Sequence, residues 1–127
     1  MNVLIPMFDQ NRILKYSSGE EKMLYRRISL GEPEYIYVYL GYPLHKVLCA
    51  LEVEEIISGD PFDVWNKTKE FTSLSYTDFS IYFYDKKSPA YAYKVKSILY
   101  EKPKLLSEFG VDFIKPGFIN VPQTILS

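Results

Sequence analysis

The sequence has few of the residues that build the commonest catalytic and metal sites. It contains one cysteine, Cys49, and one histidine, His45, in 127 residues. A single cysteine excludes an internal disulfide and a cysteine-based zinc site; we interpret Cys49 as a buried structural thiol and His45 as an exposed turn residue, which argues against a Ser-His-Asp or Cys-His triad. The six glycines are scattered, so no glycine-rich phosphate loop is present. We therefore expect no metal and no cofactor.

Long apolar runs and an excess of one charge are also missing. No apolar run approaches the ~18 residues that a membrane helix needs, and the apolar N-terminus is too short for a signal peptide, so we expect a cytoplasmic protein without membrane contact. Fifteen lysines and arginines oppose sixteen acidic residues, which leaves a formal net charge of −1. Proteins that coat nucleic acid non-specifically carry a basic excess. Any role in nucleic-acid binding must therefore depend on a local basic patch.

Aromatic side chains, in contrast, are abundant. Twelve tyrosines, eight phenylalanines and one tryptophan make up 17% of the chain. Aromatic residues fit the pleated surface of a β-rich core, which is our main interpretation. A surface that binds a ligand is the alternative, because tyrosine suits sites that are dry on one side and wet on the other.

The clearest strand pattern lies in residues 35–40. A period of two places Tyr35, Tyr37 and Tyr39 on one face and aliphatic residues on the other. Because both faces are apolar, we expect this strand to be covered on both sides, as in a small barrel.

Turn and cap residues divide the rest of the chain into short elements within one domain, residues 1–127. Asp9 is predicted to cap a first helix, residues 17–19 are predicted to stop it with Gly19 in a left-handed conformation, and Asp60 followed by Pro61 is a typical helix start. Residues 75–84 are predicted to be helical, with a strand as the rival interpretation. The predicted strands are 3–5 (stopped by Pro6), 21–28, 35–40, 46–57 and 90–100, and the predicted helices are 9–16, 61–68, 75–84 and one turn in 105–109, followed by an irregular strand in the tail.

One predicted strand carries a cluster of cations. Lys22 and Arg26 share one face of strand 21–28, and Arg27 lies on the other. Two cations that face a cleft can hold a phosphate or a carboxylate, and arginine does so with two hydrogen bonds. The alternative is a set of solvated side chains beside neighbouring glutamates.

The order of these segments resembles the ASCH domains of the PUA-like superfamily. Residues 19–27 are similar to the family signature G-x-K-x-x-E-x-R, and residues 35–40, 47–53, 57–61 with Trp65, 91–95 and 121–123 resemble later family segments in the same order. The likeness spans nearly the whole chain. It implies a mixed α+β fold: a PUA-like β-barrel of about five to six strands, decorated by three to four short helices, with a cleft beside the signature.

The resemblance also implies a function and exposes a departure from the family. ASCH and other PUA-like domains are associated with RNA binding, and some members are hydrolases of modified nucleosides or proposed ribonucleases. In the amidohydrolase branch a lysine two residues after the signature glycine acts with a threonine five after it and a glutamate on a later strand. Here those first two positions hold Glu21 and Leu24, and Lys22 is displaced by one residue, which on a strand turns it to the opposite face. Arg26 and Glu52 match.

We therefore expect a non-catalytic module that binds RNA or a nucleotide-like ligand, with the tyrosines stacking on bases. An enzyme is the less favoured alternative, a hydrolase of modified nucleosides or a ribonuclease with Lys22 and Glu52 as its catalytic groups. A protein-interaction or regulatory domain is the third, because tyrosine is enriched at interfaces; the oligomeric state is not determined by the sequence. The expected ligand-binding residues are Lys22, Tyr25, Arg26, Arg27, Glu52, Tyr91 and Tyr93.

Overall fold

In the part of the chain that the structure describes, a curled, mixed β-sheet packs with three α-helices. The computed structural model describes residues 2–7, 9–84, 87–112 and 117–121. The strands are β1 Asn2–Met7, β2 Met23–Arg26, β3 Tyr35–Leu40, β4 Lys46–Gly59, β5 Ala90–Lys104 and β6 Ile119–Val121; the helices are α1 Gln10–Ser18, α2 Pro61–Thr68 and α3 Tyr76–Tyr82, with 3-10 turns at Lys69–Phe71 and Leu106–Phe109. The predicted mixed, barrel-like architecture is confirmed: the sheet is curled into a half-barrel.

Strand pairing sets the order of the sheet as β2-β5-β4-β3-β1-β6 within the described residues. β1 and β3 run parallel, and the other neighbours are antiparallel. β4 and β5 are longer than predicted because they pair along their whole length, from Val47 opposite Lys104 to Gly59 opposite Ala90. Three register shifts interrupt this pair, and such irregularities bend and twist strands. The long bent pair therefore accounts for much of the curl of the sheet.

The first strand runs through Pro6, so the prediction that this proline ends the strand is wrong. β3 accompanies β1 from Val3 to Met7, but β6 accompanies it only from Asn2 to Leu4. Among the described residues, Pro6 therefore lies where one side of β1 is an edge. At an edge the missing N–H of proline removes no hydrogen bond from the ladder.

The helix predictions are confirmed by the capping contacts. The Asp9 side chain accepts a hydrogen bond from the N–H of Asn11 (2.9 Å), and Gly19 ends α1 with a left-handed φ of 81°. Asp60 accepts from the N–H of Phe62 (3.1 Å) ahead of α2. Residues 76–82 are helical. The single helical turn predicted in residues 105–109 is present as the 3-10 turn Leu106–Phe109, and the strand predicted in the tail is β6. Pro122 and Gln123, part of the segment likened to the family's closing one, lie outside the described residues.

Apolar clusters cover both faces of the sheet, as the pattern of β3 predicts. On the inner face, Ile36, Val38 and Leu40 pack with Cys49 and with Ile13 and Tyr16 of α1. The outer face has two clusters. In one, Tyr37 and Tyr39 pack with Phe109; in the other, β2 and β5 pack against α2 and α3. The sheet is thus clamped between α1 on one side and the remaining helices on the other.

A buried cysteine thiol and three tyrosine hydroxyls make the stability of the fold sensitive to alkaline pH. Burial raises the pKa of Cys49 to about 12, and burial also raises the pKa values of Tyr16, Tyr25 and Tyr93. A raised folded-state pKa stabilises the fold fully below the unfolded-state pKa (about 8.5 for cysteine and about 10 for tyrosine), and that contribution is lost as pH rises towards the folded-state value. We expect the free energy of unfolding to fall by about 2 kcal/mol between pH 8 and pH 10, mostly through Cys49.

Urea unfolding at pH 8, 9 and 10 measures this loss. A Cys49→Ala variant, although less stable overall, is expected to show a flatter profile between pH 8 and 10. An equal loss in the variant and the wild-type protein would contradict the assignment to Cys49.

Candidate functional site

A cleft of about 310 Å³ opens where β2 ends, between the sheet and helices α1 and α3. β1 and β2 form its floor, α1 forms one wall, and α3 with the segment before it forms the other. The cleft is lined by Pro6, Met7, Arg12, Leu24, Tyr25, Arg26, Leu74, Asp78 and Tyr82. Its walls are thus mainly apolar and aromatic, with a few charged groups, which is the composition typical of ligand sites.

Arg26 projects from the last position of β2. It lies on the inner face of the sheet, because it is two residues beyond Leu24 of the inner cluster and pairs with Tyr91, which packs against that cluster. The side chain is half-buried, and its Nη2 donates a hydrogen bond to the carbonyl of Gly117 (2.9 Å). That bond fixes the direction of the side chain and uses one of the five N–H donors of a guanidinium.

Arg12 enters the same cleft from α1. The helix is docked on β2 by Tyr16, whose buried hydroxyl donates to the carbonyl of Met23 (2.7 Å). Burial lowers the pKa of Arg12, but Tyr16, Glu21 and Asp9 together outweigh that effect, so the pKa is raised. Arg12 therefore stays a cation although it is partly buried.

Arg27 lies at the rim of the cleft. Its guanidinium carbon is 5.1 Å from the centre of the Tyr82 ring and 5.7 Å from that of Tyr84, both within the range of a cation–π contact. Tyr82 also lines the cleft. The three arginines of the sequence are therefore all placed in this cleft or on its rim, whereas its twelve lysines are spread along the chain.

Asp78 of α3 adds a carboxylate to the lining. Its backbone N–H donates to the hydroxyl of Ser75, which caps α3 (3.1 Å). The carboxylate thus lies in the first turn of the helix, where negative charge is favourable. The cleft combines two cations with one anion, and an anionic ligand is expected to prefer the arginine side.

Solved structures of one ASCH protein share this arrangement of strands and helices. The crystal structure of ASCH from Zymomonas mobilis superposes with a TM-score of 0.77, covering 96% of this chain and 88% of that one at 21% sequence identity. A serine-to-alanine and a tyrosine-to-phenylalanine variant of the Zymomonas protein give the same TM-score and cover 96% of this chain at 20% identity, with 89% and 91% of their own chains covered. This chain has the ASCH fold. No protein-family model and no curated protein matches the sequence.

The position that holds lysine in the ASCH signature is occupied here by a buried carboxylate. Glu21 is 2% exposed and accepts four hydrogen bonds, from the N–H of Met23 (3.0 Å), the hydroxyl of Thr72 (3.0 Å), and the N–H and hydroxyl of Ser73 (3.3 and 2.9 Å). Glu21 therefore ties the start of β2 to the segment that follows α2. A side chain held in this way is part of the framework of the cleft and not of its lining.

The two residues that sequence reasoning offers as catalytic lie outside this cleft. Lys22 is exposed, and its backbone bonds to the carbonyl of Phe71 and to the N–H of Val95 at the start of β2. Glu52 pairs with Tyr35, which packs against the outer cluster, so Glu52 lies on the face of the sheet opposite Arg26. The fold thus does not bring Lys22 or Glu52 together with Arg26.

The tyrosines predicted to stack on bases are mostly buried. Tyr93 is 0% exposed, and its hydroxyl accepts a hydrogen bond from the N–H of Leu30 (2.7 Å). Tyr91 is half-buried against the inner cluster and is not part of the cleft lining. Tyr25 reaches the cleft, but it is buried, and its hydroxyl bonds to that of Thr68 (2.7 Å).

Sequence reasoning missed Arg12, Asp78, Tyr82 and Tyr84. Their approach to β2 depends on how α1 and α3 dock on the sheet, which no local pattern reveals. One signal was available for Arg12, because it is one of only three arginines, and arginine is the residue best suited to bidentate anion binding.

Within the described stretches of the chain, no group of three or more His, Cys, Asp or Glu side chains is placed to hold a metal ion. No helix there combines the length and apolar character needed to cross a membrane. His45 is exposed, and its Nδ1 lies 3.3 Å from the hydroxyl of Tyr39.

Proposed function

We propose that this protein is a non-catalytic module that binds single-stranded RNA, or a smaller nucleotide-like ligand, in the cleft at the end of β2. The observation that carries the proposal is the convergence of Arg12, Arg26 and Arg27 on one cleft of a chain whose net charge is −1. Arginine binds phosphate with two parallel hydrogen bonds. The cleft thus provides the local basic patch that a chain with a net charge of −1 needs in order to bind RNA.

The phosphate site of this proposal lies between Arg12 and Arg26. Both guanidiniums are partly buried, so salt screens their attraction for an anion less than at an open surface. The bond from Arg26 to Gly117 orders that side chain before any ligand arrives, which lowers the entropy cost of binding. Leu24 and Leu74 supply apolar walls for a sugar or a base. A volume of about 310 Å³ suits one nucleotide, because ligand pockets begin at roughly 300 Å³.

Binding is favoured over hydrolysis by the groups available at the cleft. A general acid or base must come within hydrogen-bond reach of the reacting atom. Glu21 is occupied by four donors, Leu24 has no proton to transfer, and Glu52 lies on the other face of the sheet. The hydroxyl of Tyr25 donates to Thr68, whose own proton goes to the carbonyl of Val64. These contacts support a ligand site without the acid–base pair of the amidohydrolase branch.

Fluorescence anisotropy with a labelled six-nucleotide RNA, titrated from 25 to 200 mM salt, tests the proposal. We expect Arg26→Ala to weaken binding at least tenfold at low salt, as for a lost hydrogen bond between charged groups. The slope of log K against log salt is expected to become shallower by about 0.7, the value for one phosphate contact with a single strand.

Two variants control for the loss of a charge. Lys102→Ala removes a cation on the distant half of β5, eight residues beyond Lys94, and so about 26 Å along the strand from the pairing with β2; it is expected to bind like wild type. Asp78→Asn removes the anion of the cleft and is expected to tighten binding about two- to fourfold at low salt. If the wild-type protein does not bind RNA, or if Arg26→Ala behaves like Lys102→Ala, the proposed function is wrong.

A further inference from the structure

We propose that Tyr82, Tyr84 and Arg27 form a second subsite, the rim subsite, which stacks an unpaired base next to the nucleotide held in the cleft. The inference rests on the proposed function and defines its ligand class: a single strand of at least two nucleotides, in preference to a duplex or a mononucleotide. The structural basis is a pair of exposed tyrosine rings, joined by one guanidinium, at the mouth of the arginine cleft.

The two rings are open to solvent but positioned. Tyr84 is 74% exposed and Tyr82 36% exposed. Tyr82 is held edge-on against the buried ring of Phe83, with 4.7 Å between the ring centres and 81° between the ring planes. Arg27 lies over both tyrosines and so keeps the two rings on the same side of the cleft. An exposed aromatic surface that is ordered in advance loses little entropy when a flat ligand stacks on it.

The chemistry of the rim subsite favours a nucleic acid over an apolar protein surface. Aromatic rings stack on any base because every base has a π-face. A guanidinium stacks on planar groups and binds phosphate bidentately, so Arg27 suits both parts of a nucleotide. A protein partner that buried these rings would also have to bury or pair the charge of Arg27, which carries a desolvation cost. The positive charge within the aromatic group therefore indicates an anionic, ring-bearing ligand.

The rim subsite is continuous with the cleft, and this continuity determines the path of a bound RNA strand. Tyr82 belongs both to the cleft lining and to the rim subsite, so a nucleotide in the cleft and its neighbour on the rim are adjacent. A duplex does not fit this arrangement, because its bases are already stacked on each other and only unpaired bases can be turned onto protein rings. We therefore expect the rim subsite to select single strands.

Competition binding with adenosine 5′-monophosphate, the tetranucleotide r(A)4 and a blunt RNA duplex tests the rim subsite. Wild-type protein is expected to bind r(A)4 at least tenfold more tightly than the mononucleotide, and the duplex more weakly than r(A)4. Tyr84→Ala is expected to weaken r(A)4 binding about fivefold or more, the effect typical of a lost stacked base, and to leave mononucleotide binding within twofold. The salt slope is expected to stay unchanged, because stacking releases no counterions.

Two tyrosine variants serve as controls. Tyr84→Phe keeps the ring and is expected to bind r(A)4 like wild type. Tyr76→Ala removes another exposed tyrosine of α3, one whose ring contacts Trp65 and not Arg27, and is expected to have no effect on r(A)4. Equal affinity of the wild-type protein for r(A)4 and the mononucleotide, or equal effects of Tyr84→Ala and Tyr76→Ala, would overturn the rim subsite. In either case mononucleotide binding that depends on Arg26 leaves the proposed function standing, whereas failure of the wild-type protein to bind any of the probes removes both.

Discussion

Replacing Glu21 by alanine is expected to lower the free energy of unfolding by about 3 to 5 kcal/mol. The carboxylate is buried and accepts bonds from two backbone N–H groups and two hydroxyls of Met23, Thr72 and Ser73. In the alanine variant the buried N–H of Met23 loses its acceptor, which costs about 1–3 kcal/mol, and the half-buried Thr72 and exposed Ser73 lose three further bonds worth about 0.5–1.5 kcal/mol each. Urea unfolding monitored by circular dichroism measures the loss.

The neighbouring acid provides a matched control for this prediction. Glu20 is exposed, and its carboxylate lies 3.7 Å from the ammonium of Lys15. Ion pairs of this kind contribute about 0–1 kcal/mol, so Glu20→Ala is expected to be nearly neutral. If Glu21→Ala were as mild as Glu20→Ala, the four hydrogen bonds would not hold β2 to the segment after α2 as the structure indicates.

A Glu21→Lys substitution restores the residue type of the ASCH signature and is expected to destabilise the fold even more. An ammonium has donors and no acceptor, so it would face the same N–H and hydroxyl donors with the wrong hydrogen-bonding character. We expect no hydrolysis of modified nucleosides by this variant. A Glu21→Lys protein as stable as wild type would show that the surroundings of this position tolerate a lysine, and would contradict the account of Glu21 as an obligatory acceptor.

Local signals in the sequence predict the helices well. Asp9 and Asp60 accept bonds from N–H groups two residues away, and Gly19 adopts the left-handed conformation that few other residues tolerate. Because these contacts lie within three residues, they can be read without knowledge of the fold. For this reason α2 begins at Pro61 as predicted, and α1 begins within one residue of its predicted start.

Features that depend on neighbours in space were beyond local reasoning. The course of β1 through Pro6 depends on where β6 stops accompanying it, about 115 residues further along the chain. The period of two in β5 places Tyr91 and Tyr93 on one face of the sheet, where they pair with Arg26 and Leu24 of β2. What the pattern cannot tell is that this face is the closed interior of a half-barrel.

The cleft itself was predicted in part. The family signature led to Arg26 and to a cleft beside it, and the structure has such a cleft. The residues that line the cleft beside Arg26 come from α1 and α3. These helices are held near β2 by Tyr16 and by the aromatic contacts of Phe79 and Phe83 with Tyr25. These long-range contacts bring Arg12 and Tyr82 to the site. Their roles in binding, like that of Arg26, stay predictions for the titrations to decide.

Among the predicted site residues, Tyr93 is the one whose variants best distinguish a structural role from a ligand-binding role. The ring is fully buried in the inner cluster, so Tyr93→Ala is expected to cost about 3–5 kcal/mol, as for other large buried rings. Tyr93→Phe keeps the ring but leaves the N–H of Leu30 without its acceptor, at a cost of about 1–2 kcal/mol. Because the hydroxyl is buried and bonded to Leu30, it is out of reach of a ligand, so the RNA affinity of the folded Tyr93→Phe protein is expected to stay within twofold of wild type.

The half-buried Tyr91, on the same face of β5, is the control for these variants. Tyr91→Phe is expected to change the free energy of unfolding by less than about 0.5 kcal/mol, because it keeps the ring of a half-buried side chain that packs against the inner cluster. Urea unfolding and RNA titration of the same preparations give both quantities. If Tyr93→Phe weakened RNA binding while its stability matched that of Tyr91→Phe, the Tyr93 hydroxyl would have to contact the ligand and not Leu30, and the cleft defined by Arg12 and Arg26 would be the wrong site.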